Sequence, residues 1–212
     1  MRPEQIRSKE QLIGLPAAEV VTYIFADKEM RGFLLRFHYA PGSPQYSEHF
    51  FIPFNRTSDI NNVLEENHLP DCDIGIYSKV EKADSFSAHI PMIDFNLAVS
   101  ADGIAKLKKR LAQFIRNSQF NSWVVLDSGG SYQAYCLGYM LPVEKNDEFT
   151  IAKFAEICHQ YLDFDNEGMR DEITDGWWFT HSAARGGMTL RLTRNRPELK
   201  KKIPTVISLV EI

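Results

Sequence analysis

Little in this sequence points to covalent or metal staples. Its only cysteines are Cys72, Cys136 and Cys158; no two form a CxxC pair and none has zinc-ligand spacing. In apolar or helical surroundings they read as buried free thiols, which fits a reducing compartment. No apolar run approaches the length of a membrane span, and the opening Met1-Arg2-Pro3-Glu4-Gln5 is polar rather than leader-like. A cytoplasmic chain with no membrane partner is therefore expected. Charge of one sign is also scarce: the net charge is only -4, no general reason to expect a polyanionic partner. Internal repeats and low-complexity tracts are missing too.

What is present is an ordinary globular composition. The chain has 212 residues, 44% apolar and 25% charged, enough for one sizeable core. Charge is unevenly placed. Seven basic residues (Arg185, Arg191, Arg194, Arg196, Lys200, Lys201, Lys202) and one acid, Glu198, lie between 185 and 202. A second cluster, Lys106, Lys108, Lys109 and Arg110, falls within an expected helix. Each is either a solvated face or a local attraction for a polyanion.

Periodicity predicts a helix from Pro16 to about Asp27, a hairpin of Phe33–Tyr39 with His49–Phe54, and a short helix capped by Ser58 or Asp59. Short strands follow at Ile74–Tyr77 and His89–Phe95. Ser100 is a good N-cap for a helix over Ala101–Asn117, with Ile104, Leu107, Leu111, Phe114 and Ile115 on one side. Trp123–Leu126 and Tyr132–Met140 read as strands, and Asn146–Tyr161 as a helix. Trp177–His181 and Met188–Thr193 are expected to be strands around the Arg185-Gly186-Gly187 turn, with a last strand at Thr205–Val210. The fold class is α+β. From Asp94 onward the order suggests a split β-α-β (RNA-recognition-like) core. Residues 86–212 would form that core and residues 1–85 a smaller N-terminal αβ layer, within a single domain over 1–212.

Three segments carry polar residues suited to chemistry. Asp94 and Asn96 are two apart at the end of an apolar strand, hence on one face; a carboxylate and an amide carbonyl there suit a hard divalent cation, although a turn cap explains Asp94 equally. Ser128-Gly129-Gly130 follows a strand, and adjacent glycines let backbone amides approach an anion, as they also let a hairpin turn tightly. Thr189, Arg191 and Thr193 share a strand face, where a guanidinium beside hydroxyls suits phosphate or forms a structural ion pair. Trp177, Trp178 and Phe179 are expected to pack in the core. His38, His49, His89 and His159 have no ligand spacing, and His181 is expected near Arg191.

In this order the segments resemble the archaeo-eukaryotic primase superfamily, the primase-polymerases. That family's first motif is an acid pair for divalent metal, its second a Ser-Gly-Gly-x-x-His that contacts phosphates, and its third an acid ahead of a Leu-Arg-Leu strand. The resemblance covers about Ile90 to Thr193. It implies that Asp94, Asn96 and Asp175 hold Mg2+ or Mn2+. Ser128, Gly129, Gly130, Gln133 and Arg191 would then hold a nucleoside triphosphate, and Arg185, Arg194 and Arg196 single-stranded DNA or RNA. Asp94, Asp175 and Arg191 would be the catalytic set.

This chain departs from the pattern twice. Asn96 replaces the second acid and Gln133 the histidine, with Asp171 and Glu172 close to Asp175 as alternative third acids. Two acids suit one cation better than two, and glutamine donates a hydrogen bond but carries no positive charge. The expectation is a primase-like protein binding nucleotide or nucleic acid, with nucleotidyl transfer weak or lost. The alternative is an inactive primase-like scaffold for a protein partner.

Overall fold

The computed structural model describes residues 8–26, 28–39, 46–69, 72–82, 86–165, 167–193 and 202–212. The class is α+β, built on two sheets. One sheet runs β2 (Tyr46–Asn55), β1 (Met30–Tyr39), β3 (Cys72–Lys82), β4 (Ser87–His89) and β8 (Leu141–Pro142), with β9 (Thr189–Arg191) also paired to β3. The other runs β10 (Thr205–Glu211), β6 (Ser122–Asp127), β7 (Tyr132–Cys136) and β5 (Met92–Phe95). Every ladder among the described residues is antiparallel. Among the described residues five α-helices accompany them, besides a 3-10 turn at Lys9–Leu12: α1 (Ala17–Phe25), α2 (Ile60–Glu66), α3 (Ala101–Arg116), α4 (Asp147–Leu162) and α5 (Gly176–Ala184). Among the described residues no helix is long and apolar enough to cross a membrane.

Local chemistry explains the long helices. Ser100 caps α3 by accepting from the Gly103 amide, and Asn146 caps α4 by accepting from Phe149. The apolar side of α3 meets β6 through rings: Phe114 stacks on Phe120 at 5.5 Å, and both touch Trp123 edge-on. The expected strand over His89–Phe95 is two strands. Pro91 has no amide to extend a ladder, so β4 ends in one sheet and β5 begins in the other. The basic cluster on α3 is half engaged: Lys106 and Arg110 both reach Asp171, at 2.7 and 3.1 Å. All three cysteines are free and buried, as expected.

Two expectations fail here. Trp177–His181 is helix α5, not a strand. Asp175 caps it by accepting from the Trp178 amide, and Gly186, at φ 68°, ends it, with its amide returning to Ala183. The aromatic run has strand propensity, but these stop and start signals override it. The order after Asp94 differs too. β7 lies between β5 and β6, joined through α3, but β10 docks beside β6 and β9 joins the other sheet.

A polar network ties the sheet of β3, β4 and β9 to α4. Ser78 Oγ accepts from the Met188 amide at 2.9 Å and lies 2.8 Å from His89 Nδ1. His89 Nε2 is 3.0 Å from Asp147 Oδ1, and Lys79 donates to Asp147 Oδ2 at 2.8 Å. Burial lowers the His89 pKa against the pull of Asp147. Replacing Ser78 by alanine strands a buried amide and an imidazole nitrogen, so a denaturant melt should show a loss of about 2–4 kcal/mol. Because the folded state resists protonating His89, its contribution is present above the ordinary histidine pKa of 6.5 and is lost as pH falls below it.

Candidate functional site

β5 ends against the segment that leads into α5. The Asp175 amide donates to the Asp94 carbonyl at 3.0 Å, and the Asn96 amide donates to the Ile173 carbonyl at 2.9 Å. Phe95 and Thr174 form the bridge between them. Asp94, Asn96 and Asp175 are thereby brought to one backbone patch. The neighbouring acids are drawn elsewhere, Asp171 to Lys106 and Arg110, Glu172 to Arg170. Asp175 also caps α5, so one of its oxygens already holds the Trp178 amide.

The segment 173–175 is fixed from behind by Asp163 at the end of α4. Its Oδ1 accepts from the Ile173 and Thr174 amides at 2.8 and 2.9 Å, and its Oδ2 from Thr174 Oγ1 at 2.6 Å. His159 Nδ1 lies 2.5 Å from the same Oδ2. Burial alone would raise the Asp163 pKa, but the hydrogen bonds from His159, Thr174 and the two amides outweigh it and the net direction is down. His159 is shifted up, mainly by its bond to Asp163. The sequence signal for this pair, not used above, is the i, i+4 placement of His159 and Asp163 at the end of one helix.

The Ser-Gly-Gly turn is closed on itself. Gly129 sits at φ 98°, a conformation that favours glycine, and its amide donates to Asp127 Oδ1 at 2.7 Å. The Ser128 amide and hydroxyl both donate to the Ser131 carbonyl. Lys202 holds the other Asp127 oxygen at 2.6 Å, so this acid pairs with lysine rather than joining Asp94. Arg191 is the hub beneath the turn. Its Nη2 donates to the carbonyls of Ser128 and Lys202, each at 2.9 Å, and its Nη1 to that of Thr193. The guanidinium is therefore held by backbone carbonyls of residues 128, 193 and 202.

β7 faces these groups with Gln133 and Tyr135. Cross-strand register puts Gln133 opposite Asp94, and Tyr135, two residues on, shares that face. Tyr135 is fully buried, and burial, with the Asp94 charge added, pushes its hydroxyl pKa far up while Arg191 opposes. One hydroxyl therefore feels both the carboxylate and the guanidinium. Among the described residues, Gln133 Oε1, Tyr135 Oη and Thr189 Oγ1 are buried with no hydrogen-bond partner. Arg36 Nε, Ser87, Gln113 and Ser182 show the same elsewhere, scattered over the fold, so the informative point is the gathering of three near Asp94 and Arg191.

The remaining expected residues are dispersed. Arg185 ends α5, its Nε donating to the His181 carbonyl and its own carbonyl accepting from Tyr77. Arg194 and Arg196 lie outside the described residues. His181 stacks on Trp177 on the exposed side of α5, and Trp177 is 77% exposed rather than in the core; Phe179 is buried as expected. Among the described residues no three His, Cys, Asp or Glu side chains gather as a metal site.

A family model described as archaeo-eukaryotic primase 1D-like matches residues 56–205. The chain belongs to that family. The matched span includes both β5 and β9, and so every site residue in the described part of this primase-like chain. Neither the curated proteins nor the solved structures contain a match.

Proposed function

We propose that this primase-like protein binds a nucleoside triphosphate with one divalent cation beside β5 and β7, and that nucleotidyl transfer is weak or lost. The reading rests on one observation above the others: three buried, unpartnered polar atoms, on Gln133, Tyr135 and Thr189, in the neighbourhood of Asp94 and Arg191. Such atoms cost about 1–3 kcal/mol each, and a fold retains them where a ligand or bound water uses them.

The donor set suits a single Mg2+ or Mn2+. Asp94 and Asp175 with the Asn96 carbonyl supply two charges and an amide oxygen, and magnesium is commonly held by one or two carboxylates with phosphate and water completing its shell. The cation would neutralise phosphate charge; nothing here supports a second. Gln133 would bind phosphate as a neutral donor. Basic residues of the 185–202 region, including Arg185, Arg194 and Arg196, would meet a single-stranded template. β5, α3, β6 and β7, with β7 between β5 and β6, support a local split β-α-β unit over residues 92–136 that carries the site.

The scaffold reading has an observation of its own: the donors of Arg191 and the Ser128 and Gly129 amides are engaged inside the protein. Calorimetric titration with a nucleoside triphosphate, with and without Mg2+ or Mn2+, separates the two. Metal-dependent binding that Asp94→Asn weakens tenfold or more, and Gln133→Leu about fivefold, is the expected result. Absence of binding at millimolar nucleotide would favour a scaffold for a protein partner.

A further inference from the structure

A sheet edge leaves backbone groups free for another strand, and most edges of this fold are closed. β10 is covered by the segment before α1. The Gly14 amide donates to the Val206 carbonyl at 2.8 Å, the Val206 amide to the Leu15 carbonyl at 2.9 Å, and Lys9 pairs with Glu211 at the far end. β5 is covered by residues 173–175. β8 and β9 are two and three residues long, too short to hold a partner strand. β2 is different. It is ten residues long and stands last in its sheet, and among the described residues β1 is its only partner.

Proline decides which of its groups face out. Pro53 lies within β2, and a strand accommodates proline where the missing N–H would have pointed away from the ladder. By alternation the amides of His49 and Phe51 face the open side with it, as do the carbonyls of 49, 51 and 53. Beyond them the Asn55 amide and carbonyl are both taken by Ser58, and on the other side the register slips between His49 and Tyr46. The regular open edge is therefore 49–53, with Phe51 at its middle. Phe50 and Phe51 point to opposite faces and are 54% and 50% exposed. β2 contains neither lysine nor arginine, the usual guards of an edge; Pro53 is its one guard.

A second copy of the chain matches this edge. Run antiparallel across a two-fold axis at Phe51, the two Phe51 residues exchange both backbone hydrogen bonds, and each His49 amide meets the Pro53 carbonyl of the other copy. On one face Phe51 then lies against Phe51. On the other, Phe50 lies opposite Ile52 in both directions, so each exposed ring gains an apolar neighbour. The charges agree as well. Glu48, the acid of β2, is carried toward Arg56 of the second copy, just past the strand end, and the reverse holds by symmetry.

We propose that the chain forms a two-fold dimer by antiparallel pairing of β2 with β2 about Phe51, joining two copies into one continuous sheet. β2 ends before the span 56–205 matched by the family model, and the dimer does not depend on the nucleotide-site reading.

The test is sedimentation velocity of the full chain up to about 100 μM, a concentration that detects even weak self-association. The wild type should approach the mass of two chains. Phe51→Lys sets two ammonium groups face to face at the axis, and Phe51→Pro deletes the outward amide while sparing the ladder to β1. Each should weaken the dimer about a hundredfold or more, with circular dichroism confirming the fold. Glu48→Arg and Arg56→Glu should each weaken it about fivefold, and an equimolar mixture of the two should recover wild-type affinity, because reversed charges then meet across the axis. A single-chain mass at the highest concentration, or a dimer indifferent to both Phe51 variants, would overturn the proposal. A mixture that fails to recover would overturn the antiparallel arrangement, and Phe51-dependent species larger than two chains would overturn the two-fold closure.

Discussion

Arg191→Ala should be the most destabilising single change near the site, by about 3–5 kcal/mol. The buried guanidinium donates to three carbonyls, those of Ser128, Thr193 and Lys202, from three separate stretches of chain. Truncation leaves those acceptors without a cationic donor and opens a void under the Ser-Gly-Gly turn. For a chain of 212 residues, each kcal/mol moves the melting temperature by about 2–4 °C, so a fall of roughly 10 °C is expected. Arg191→Lys should recover less than half, because a compact ammonium cannot span a planar fork of acceptors. Nucleotide affinity of Arg191→Ala, measured well below its melting point, then asks a separate question. Unchanged stability would show that the carbonyls find other donors and that the hub is unimportant. Lost stability with retained nucleotide binding would make Arg191 a structural residue alone.

That outcome bears on how far the sequence could be read. Asp94, Ser128 and Arg191 could be named as candidates because they sit at a strand end, a glycine turn and an alternating strand, where local pattern and chemistry coincide; Asp175, expected ahead of a strand, is instead the cap of α5. Two contacts link them: the Asp175 amide donates to the Asp94 carbonyl, and the Arg191 guanidinium donates to the Ser128 carbonyl. What the pattern did not carry was how they are engaged. Nothing in Leu190-Arg191-Leu192 says that the guanidinium will be claimed by carbonyls from residues 128 and 202. Nor does a lone apolar run reveal that Trp177-Trp178-Phe179 is helical, since an aspartate cap at 175 and a glycine stop at 186 decide it from outside the run. The two sheets were hidden for a related reason. Pro91 splits one apolar run between them, and a three-residue β9 finds its partner in β3, over a hundred positions earlier. Tyr135 and Thr189 matter only through those long-range pairings.

Asp163→Ala should be nearly as costly, about 3–4 kcal/mol, and should also disturb the site from behind. It removes the acceptor for two amides, the Thr174 hydroxyl and His159 in one step. Since residues 173–175 are hydrogen-bonded to β5, their release should loosen Asp175 beside Asp94, so metal-dependent nucleotide affinity should fall with stability. Asp163→Asn is the sharper variant. Its remaining oxygen still serves the two amides, while its NH2 group opposes the Thr174 and His159 donors. The pH dependence of the difference between wild type and Asp163→Asn then identifies the ion pair. His159 is raised in the fold, so its share is fully present below 6.5 and is lost as pH rises through the folded value. Asp163 is lowered, so its share is present above 3.8 and is lost as pH falls through the folded value. Denaturant melts should show the largest difference between about pH 4 and 6.5, shrinking on both sides. His89 changes wild-type stability in the opposite sense near neutrality, which is why the difference rather than the wild-type curve is the measurement. A difference independent of pH would mean that Asp163 acts only as a neutral acceptor for the backbone, and His159 would drop out of the positioning of Asp175.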